Sequence, residues 1–428
     1  MPHISVNKLE PGMIAARELR SKNGRLVADK GVPLSREHIR ALKIWGISKV
    51  HVQDGSNDQS TLEPESISKM DPETQNRAKR LIRPRFALND LNHPAIREIF
   101  DLTKHNLAQA LIDNPQLTPA PIKRTQTRVH GEILFGKQQP LSEVIGSQTL
   151  DFNSLGLQPM PDVILQLQEA LTDPKCSAIT MAEVVDLNSG LSNQLLNLFN
   201  SSFFGLPRKI DSIMEAVTIL GANQFAMTVL AQTVRSMFKE IAPPSMNMKK
   251  FWRHSMACAV AARTLGKIKG GMNIERLFLA GLLHDIGRII LMDQFPELMR
   301  QARKNTEHGR KPLYVAEAET IGMSHAWAGG MLLAEWKFPL LLEQAVRYHH
   351  QPAHSLYHQE AAIVHTADVL VHAWAMEWEN PECVPPLNHN SWETLHLEPA
   401  VLTSCIQQME QFFAIGQTSR ELPPHCDG

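Results

Sequence analysis

The sequence is poor in cysteine, and its cysteines are not spaced for metal or redox chemistry. No C-x-x-C pair occurs that could hold zinc or cycle between thiol and disulfide. An odd and sparse set of thiols is typical of a reducing compartment. The five residues are Cys176, Cys258, Cys383, Cys405 and Cys426.

The chain also lacks the hydrophobic runs of a secreted or membrane protein. Its first twenty residues contain no apolar segment of signal-peptide length, and no stretch of about 18 uncharged apolar residues occurs. An excess of one charge is missing too, because 43 Lys and Arg residues balance 44 Asp and Glu residues to a net charge of −1. We therefore expect a cytoplasmic protein with no membrane span, and the charge gives no reason to expect nucleic acid as a partner.

Motifs of several large enzyme classes are absent. There is no G-x-x-x-x-G-K-[ST] loop for an ATPase or kinase of that type, and no G-x-G-x-x-G after a strand for a dinucleotide cofactor. Ser201 and Ser202 lack the flanking glycines of a hydrolase serine elbow. These absences exclude the corresponding chemistries.

The sequence contains enough apolar residues for several folded domains. The 428 residues are 43% apolar and 20% charged, which excludes wholesale disorder and suggests two or three domains. Residues 1–54 are predicted to form a small α+β module, with a hairpin at Asn23-Gly24 and a helix that starts after Ser35. Beyond it we expect a polar linker over 55–72, a helical connecting arm over 73–145, a first helical subdomain over 146–245, a histidine-rich helical subdomain over 246–380, and a C-terminal helix and tail over 381–428.

Helical periodicity dominates the chain after the linker. Apolar residues recur at i, i+3 and i+4 in segments such as PDVILQLQEAL, NQFAMTVLAQTVRSMF and ERLFLAGLLHDIGRIILM. Breakers at Asp173-Pro174, Gly205-Leu206-Pro207 and Gly221 separate the segments. The predicted fold class is therefore mainly α, an all-helical bundle with the small N-terminal α+β module.

Histidine is unusually frequent in one region of the chain. Of 19 histidines, ten lie between Lys250 and His372, so a metal or acid–base site is expected there. The clearest feature is His284-Asp285, because two polar groups end the apolar run LFLAGLL, where buried charge needs a partner such as a cation. Imidazole and carboxylate ligands together suit Fe, Mn, Zn or Ni, and neighbouring helices can aim them into one cavity. The candidate metal ligands are His254, His284, Asp285, His325, His349, His350 and Asp368.

The order of the histidine-containing segments is similar to that of a known family. WRHS, AGLLHDIGRI, GMSHAWAGGMLLAEW, YHHQP and HTADVL resemble the HD superfamily of metal-dependent phosphohydrolases, and in particular its HDOD family, a relative of the HD-GYP cyclic-dinucleotide phosphodiesterases. The upstream helices resemble the first half of HDOD domains, so that the resemblance covers about residues 146–370. LEPGM, NGRLVADKGVPLS and GISKVHV, within the first 52 residues, resemble the small module that often precedes HD-GYP domains.

The resemblance implies a centre of two divalent metal ions whose identity among Fe, Mn, Zn and Ni it leaves open. Carried over position by position, it makes the seven candidates ligands, with Asp285 bridging the ions. Arg288 stands where catalytic relatives usually have Lys, so it could contact a phosphate but could not handle a proton. In an active enzyme, Asp285 and Arg288 would be the catalytic residues.

Two departures from the enzymatic relatives bear on activity. HD-GYP enzymes follow the His pair with Glu and then a Gly-Tyr-Pro loop, whereas this chain has Gln351 and Pro352 after His349-His350. Some trinuclear relatives have a Glu one turn before the first His, where this chain has Lys250, whose charge would repel a third metal.

Three functional hypotheses follow from the resemblance. The first is a signalling or regulatory HDOD protein whose metal site is structural or ligand-binding and which acts through a protein partner. The second is an active metal-dependent phosphodiesterase or phosphohydrolase acting on a nucleotide or cyclic dinucleotide. The third is binding of a cyclic dinucleotide without turnover. HDOD proteins are generally regarded as regulatory, which favours the first.

Overall fold

The computed structural model of the protein describes most of its helical part and short pieces of the remainder. The chain divides into two compact units, residues 1–69 and residues 70–428. Apart from a few single positions, the described residues are 3–5, 19–20, 26–28 and 49–51 in the first unit, and 71–117, 178–186, 189–200, 209–238, 246–306, 311–374 and 383–418 in the second.

The first unit contains two pairs of short antiparallel strands among its described residues. β1 pairs with β4, with Ile4 opposite Val50, and β2 pairs with β3. The helix predicted after Ser35 lies outside the described residues, and the α+β module as a whole stays a prediction. The strands are β1 (His3–Ser5), β2 (Leu19–Arg20), β3 (Leu26–Ala28) and β4 (Lys49–His51).

The second unit is a bundle of helices, which confirms the prediction of a mainly α fold. No described helix combines the length and the apolar character needed to cross a membrane. The helices are α1 (Pro72–Ile82), α2 (Pro94–Asp113), α3 (Ala178–Asp186), α4 (Ser189–Phe199), α5 (Ile213–Leu220), α6 (Ala222–Met237), α7 (Met248–Lys269), α8 (Ile274–Leu283), α9 (Ile286–Gln294), α10 (Pro296–Thr306), α11 (Leu313–Ile321), α12 (His325–Glu335), α13 (Leu340–Arg347), α14 (His358–Trp374), α15 (His389–Glu393) and α16 (Val401–Thr418).

Local capping fixes where the histidine-bearing helices begin. The side chain of Asn247 accepts the N–H of Lys250 at the start of α7, at 3.0 Å. Ser324 accepts the N–H of Trp327 at the start of α12, at 3.3 Å. Each cap satisfies a backbone donor that has no partner within its helix. Between α11 and α12 the chain turns at Gly322, whose φ of 92° is a left-handed conformation that favours glycine.

Two hydrophobic cores share the helices that carry candidate ligands. The first core combines α3–α6 with α8, α9, α12 and α13, and the second combines α1, α2, α7, α14, α15 and α16. Helix α7 contributes Ala259 to the first core and Ala257 to the second, and α14 contributes Val364 to the first and Ile363 to the second. Since α7 and α14 belong to both cores, their polar side chains are enclosed by packed apolar residues.

Helices α1 and α2 lie within the segment predicted to be a connecting arm, and they pack into the second core. Ile82, Ile96 and Leu107 are fully buried there. Fully burying one such side chain stabilises a fold by roughly 1.5–3 kcal/mol. These helices are therefore an integral part of the packed unit.

Candidate metal centre

The His284-Asp285 pair occupies the short turn between two helices. Helix α8 ends at Leu283 and α9 begins at Ile286, and the N–H of Arg288 donates to the carbonyl oxygen of Asp285 at 2.8 Å. Apolar residues on both sides of the turn belong to the first core. His284 is consequently 0% exposed and Asp285 3% exposed. The polar pair is buried, as its position at the end of an apolar run predicts.

Three of the candidate ligands meet on one side of this turn, and we call them the first site: His254 of α7, His284 and Asp368 of α14. The Nε2 atom of His254 lies 3.3 Å from Nε2 of His284 and 3.2 Å from Oδ1 of Asp368. The Nε2 atom of His284 lies 3.4 Å from the same Asp368 oxygen. Residues more than a hundred positions apart in the chain thus converge.

Three further candidates form the second site: His325, His349 and His350. Helix α12 begins at His325, whereas His349 and His350 follow the end of α13. The Nε2 atoms of His325 and His350 are 2.9 Å apart. All three residues are buried, and one nitrogen from each lies within 4.8 Å of one nitrogen from both others.

Asp285 lies between the two sites. Its Oδ1 is 3.1 Å from Nε2 of His325 and 3.7 Å from Nε2 of His284, while its Oδ2 is 3.8 Å from Nε2 of His254. All seven candidate ligands are therefore brought together in one cluster. Their role as ligands stays a prediction.

Hydrogen bonds at Nδ1 orient two of the imidazoles. Nδ1 of His284 donates to the carbonyl of Gly281 at 2.8 Å, and Nδ1 of His349 donates to the carbonyl of Val346 at 2.7 Å. In each neutral ring this leaves Nε2 with its lone pair directed into the cluster, as metal-bound histidines require. No hydrogen-bond donor among the described residues reaches Nε2 of the fully buried His349. His349 forms a close group with His284 and Asp285, so the residues present fit a divalent cation.

The carboxylates give the first-site histidines an acid–base character unlike that of free imidazole. Burial lowers the pKa of His284, but Asp285 and Asp368 outweigh it and raise the pKa to about 9. Burial also lowers the pKa of His254, but Cys258 and Asp368 outweigh it and raise that pKa to about 10. In the absence of a cation, protons on these rings balance the buried negative charge.

The three histidines of the second site differ from one another in pKa. Burial lowers the pKa of His325, but Glu317 and Asp285 raise it to about 9. Burial and the neighbouring charges of His284 and His325 lower the pKa of His349 to about 3. The pKa of His350 is also held well below its usual range, chiefly by burial. The two adjacent histidines are thus neutral near pH 7, the form that binds metals.

Three residues of the cluster were not among the sequence candidates. Glu317 of α11 is fully buried and contacts His325 twice, with Oε2 2.5 Å from its Nδ1 and accepting its backbone N–H at 2.9 Å. His372 Nε2 lies 3.3 Å from Oδ1 of Asp368, and Cys258 Sγ lies 3.5 Å from Nε2 of His254. The last two follow a candidate ligand on the same helix by four residues, a spacing that could have identified them.

Arg288 takes up a position beside the carboxylate that the resemblance assigns as the bridge. Its guanidinium donates to Oδ2 of Asp285 at 2.8 Å, and its side chain is 12% exposed. Arg288 and the histidines hold the pKa of Asp285 well below its usual range, although burial opposes them. Asp285 is therefore ionised, with one of its oxygens already paired to a fixed positive charge.

The second unit of the protein is thus a helical bundle that contains a buried cluster of histidines and carboxylates, which is a candidate centre for divalent metals. Residues 157–352 match the HDOD domain, and the chain therefore contains an HDOD domain over this segment. Every candidate ligand except Asp368 lies within the matched residues.

Part of the chain is also similar to a curated protein. A curated relative is an uncharacterized protein of Treponema pallidum (strain Nichols), 23% identical over 197 residues, which are 46% of this chain and 38% of that protein. The matched region therefore spans well under two thirds of that relative.

Two solved structures have the same fold. An HDOD domain protein of unknown function from Geobacter sulfurreducens is 22% identical, with a TM-score of 0.51 over 60% of this chain and 93% of that one. A protein of Marinobacter aquaeolei VT8, provisionally described as a signal transduction protein, is 18% identical, with a TM-score of 0.54 over 65% of this chain and 64% of that one.

Proposed function

We propose that the protein is a regulatory HDOD protein of signal transduction whose centre binds two divalent metal ions as a structural or ligand-binding platform. It acts in the cytoplasm through a protein partner, and the N-terminal α+β module belongs to the same regulatory protein. The ligand class that suits such a platform is a nucleotide or cyclic dinucleotide, whose phosphates would face the ions. The observation that supports this proposal most directly is the ion pair between Arg288 and Asp285.

The pairing favours binding over turnover. A catalytic centre of this type needs its bridging carboxylate for the ions and a mobile proton donor for the leaving group. Here the Asp285 oxygen that faces away from His325 is held by Arg288 at 2.8 Å. A guanidinium stays protonated at any ordinary pH, so Arg288 can hold negative charge but cannot give up a proton.

The burial of the cluster points the same way. His284 and His349 are 0% exposed, and Asp368 is 2% exposed. Among the described members, the side chains of His254 and His372 are the more open ones, at 19% and 18%. A small ligand approaching past them would meet the first site before the second.

The second candidate is an active metal-dependent phosphohydrolase. It is favoured by the completeness of the cluster, because Asp285 lies between two groups of histidines. The ions, when bound, would polarise a phosphoryl oxygen and supply hydroxide at neutral pH. Arg288 would then hold the charge of a phosphate oxygen.

One set of measurements separates these candidates. The purified chain is examined by elemental analysis, and hydrolysis of a phosphate ester and of a cyclic dinucleotide is assayed with Mn²⁺ or Fe²⁺ supplied. We expect bound divalent metal, a rise in melting temperature on metal addition, and no hydrolysis. Asp285→Asn should retain less metal, whereas Asp293→Asn, an exposed carboxylate of α9, should match the wild type.

Each outcome has a distinct meaning. Hydrolysis that disappears in Asp285→Asn but persists in Asp293→Asn would establish the enzyme and overturn the regulatory proposal. A chain that holds no metal after incubation with Zn²⁺, Mn²⁺ or Fe²⁺ would remove both candidates. Cyclic-dinucleotide binding without turnover, measured by calorimetry, would identify the ligand of the platform.

A further inference from the structure

Cys258 lies beside the first site, and neither the sequence motifs nor the family resemblance assigns it a role. It follows His254 by four residues on α7, so the two side chains lie one turn apart on the same helix face. Cys258 is fully buried, and its Sγ lies 3.5 Å from Nε2 of His254. Together with His284 and Asp368, these residues form a group whose ligand atoms all lie within 4.8 Å of one another.

Four of the six distances within this group match those around one tetrahedral ion. With metal–nitrogen and metal–oxygen bonds of about 2.0–2.1 Å and a metal–sulfur bond of about 2.3 Å, neighbouring nitrogen or oxygen ligands are separated by about 3.3 Å and sulfur from nitrogen by about 3.5 Å. The two imidazole nitrogens are 3.3 Å apart, and the Asp368 oxygen is 3.2 Å and 3.4 Å from them. The sulfur is 3.5 Å from His254 Nε2.

Asp285 fits the first site less well than Cys258 does. Its oxygens are 3.7 Å from Nε2 of His284 and 3.8 Å from Nε2 of His254. It is closer to the second site, at 3.1 Å from Nε2 of His325, and its other oxygen is paired with Arg288. The first site therefore has a position that a thiolate fills better than the carboxylate of the turn.

We propose that the thiolate of Cys258 is the fourth ligand of the first site, which it completes as a tetrahedral site of two histidines, one aspartate and one cysteine. This proposal rests on the metal-binding part of the proposed function. On binding, the Sγ–H proton of Cys258 and the extra protons that the rings of His254 and His284 carry in the absence of a cation are released to solvent as the metal–ligand bonds form, and no group is oxidised or reduced. A thiolate ligand makes the first site select Zn²⁺, Fe²⁺ or Co²⁺ over Mn²⁺ and Mg²⁺.

The competing role for Cys258 is a thiol that donates a weak hydrogen bond to His254. Both roles place sulfur near Nε2, so distance alone does not separate them. They differ in the electronic structure of a bound metal, because only direct ligation creates a sulfur-to-metal charge-transfer transition. Cobalt(II) reports this in the near ultraviolet, while its d–d bands in the visible report binding itself.

The experiment uses the full chain, stripped with a chelator and titrated with Co²⁺. We expect the wild type to show both the visible bands and the near-ultraviolet charge-transfer band. Cys258→Ser should keep visible bands and lose the charge-transfer band, since a hydroxyl can still hydrogen-bond to His254 but is no thiolate. The matched control is Cys405→Ser, which changes another fully buried cysteine, on α16, and should keep both.

The outcomes distinguish this inference from the proposed function. Visible bands without a charge-transfer band in the wild type would overturn the role of Cys258 and leave metal binding intact. A charge-transfer band that persists in Cys258→Ser would overturn that role as well, because another cysteine would then be the source. Absence of all cobalt bands in the wild type would overturn metal binding itself. The wild-type spectra alone show whether a metal binds and whether a thiolate ligates it, and the two serine variants show which cysteine supplies the thiolate.

Discussion

The two sites differ in how they meet the charge of a cation. The first site contains Asp368, and its carboxylate environment raises the pKa values of His254 and His284 to about 10 and about 9. The second site contains three imidazoles, of which His349 and His350 have pKa values held below their usual range by burial and neighbouring charges. The first site offers negative charge, and the second offers the neutral lone pairs of His349 and His350.

This difference indicates that different residues supply the negative charge for each site. The first site carries its own carboxylate and is approached past the partly exposed His254. The second obtains negative charge only from its neighbours among the described residues, namely Asp285 at 3.1 Å from His325 and Glu317 behind it. We therefore expect the first site to bind its ion more tightly, and variants to affect the two sites separately.

The largest effect is expected from Asp368→Asn, which removes the carboxylate of the first site with little change of shape. Metal affinity at that site should fall by more than the ~10–100-fold typical of changes behind the ligands. A bound ion at a concentration 100 times its Kd stabilises the fold by about 2.7 kcal/mol, and the variant should lose that contribution. Calorimetric titration and melting curves in metal-replete buffer measure both, with Asp293→Asn as the control. Unchanged affinity would contradict the assignment of Asp368.

The next effect concerns the packing that positions the second site. A Cβ at Gly287 would lie 2.0 Å from the carbonyl oxygen of His325 and 2.6 Å from the backbone nitrogen of Gly329, so Gly287→Ala must push α12 away from α9. Such overpacking costs roughly 1–3 kcal/mol. Urea unfolding should show this loss, and metal titration should show a weakened second site.

A matching glycine substitution beside the first site tests whether the two sites can be weakened separately. A Cβ at Gly281 would lie 2.7 Å from the carbonyl oxygen of Cys258, so Gly281→Ala displaces α8 against α7 and should weaken the first site instead. If both glycine variants weakened the same site, the division into two sites would be wrong.

A smaller effect is expected from Glu317→Gln. The amide oxygen can still accept the backbone N–H of His325, but the charge that supports its imidazole is lost. Affinity at the second site should fall by ~10–100-fold while the first site is unchanged. Titration with Zn²⁺ measures this, and Glu319→Gln, an exposed position of the same helix, serves as the control. Equal losses at both sites would show that Glu317 acts through the fold as a whole.

The smallest effect is expected from His372→Gln. His372 lies 3.3 Å from Oδ1 of Asp368, but its side chain is 18% exposed, so solvent screens the interaction. Affinity at the first site should decline only a few-fold, measured by competition with a chromophoric chelator. A loss as large as that of Asp368→Asn would instead make His372 a ligand.

The helices and the chemical identity of the site were accessible from the sequence. The periodicity of ERLFLAGLLHDIGRIILM predicted helix, and the structure has α8 and α9 there, broken by a short turn at His284-Asp285. The seven candidates followed from residue types and from the family resemblance. These candidates could be predicted without coordinates, because residue periodicity and the order of motifs are properties of the sequence.

Glu317 shows what the sequence could not supply. It precedes His325 by eight residues and belongs to a different helix, so its contact depends on the turn at Gly322 and on the cap at Ser324. Arg288 is similar, because a basic residue near an aspartate can face a substrate or pair with the carboxylate. Only the packing of α9 shows that it pairs with Asp285.

The sequence by itself determined a mainly helical chain and the supply of imidazoles and carboxylates, because these depend on residue types and on neighbours a few residues away. The tertiary structure decided which of those groups face one another, which nitrogen each imidazole presents, and that Cys258 stands beside His254 and His284. Those relations join helices far apart in the chain, and they are set by the packing of two hydrophobic cores around α7 and α14.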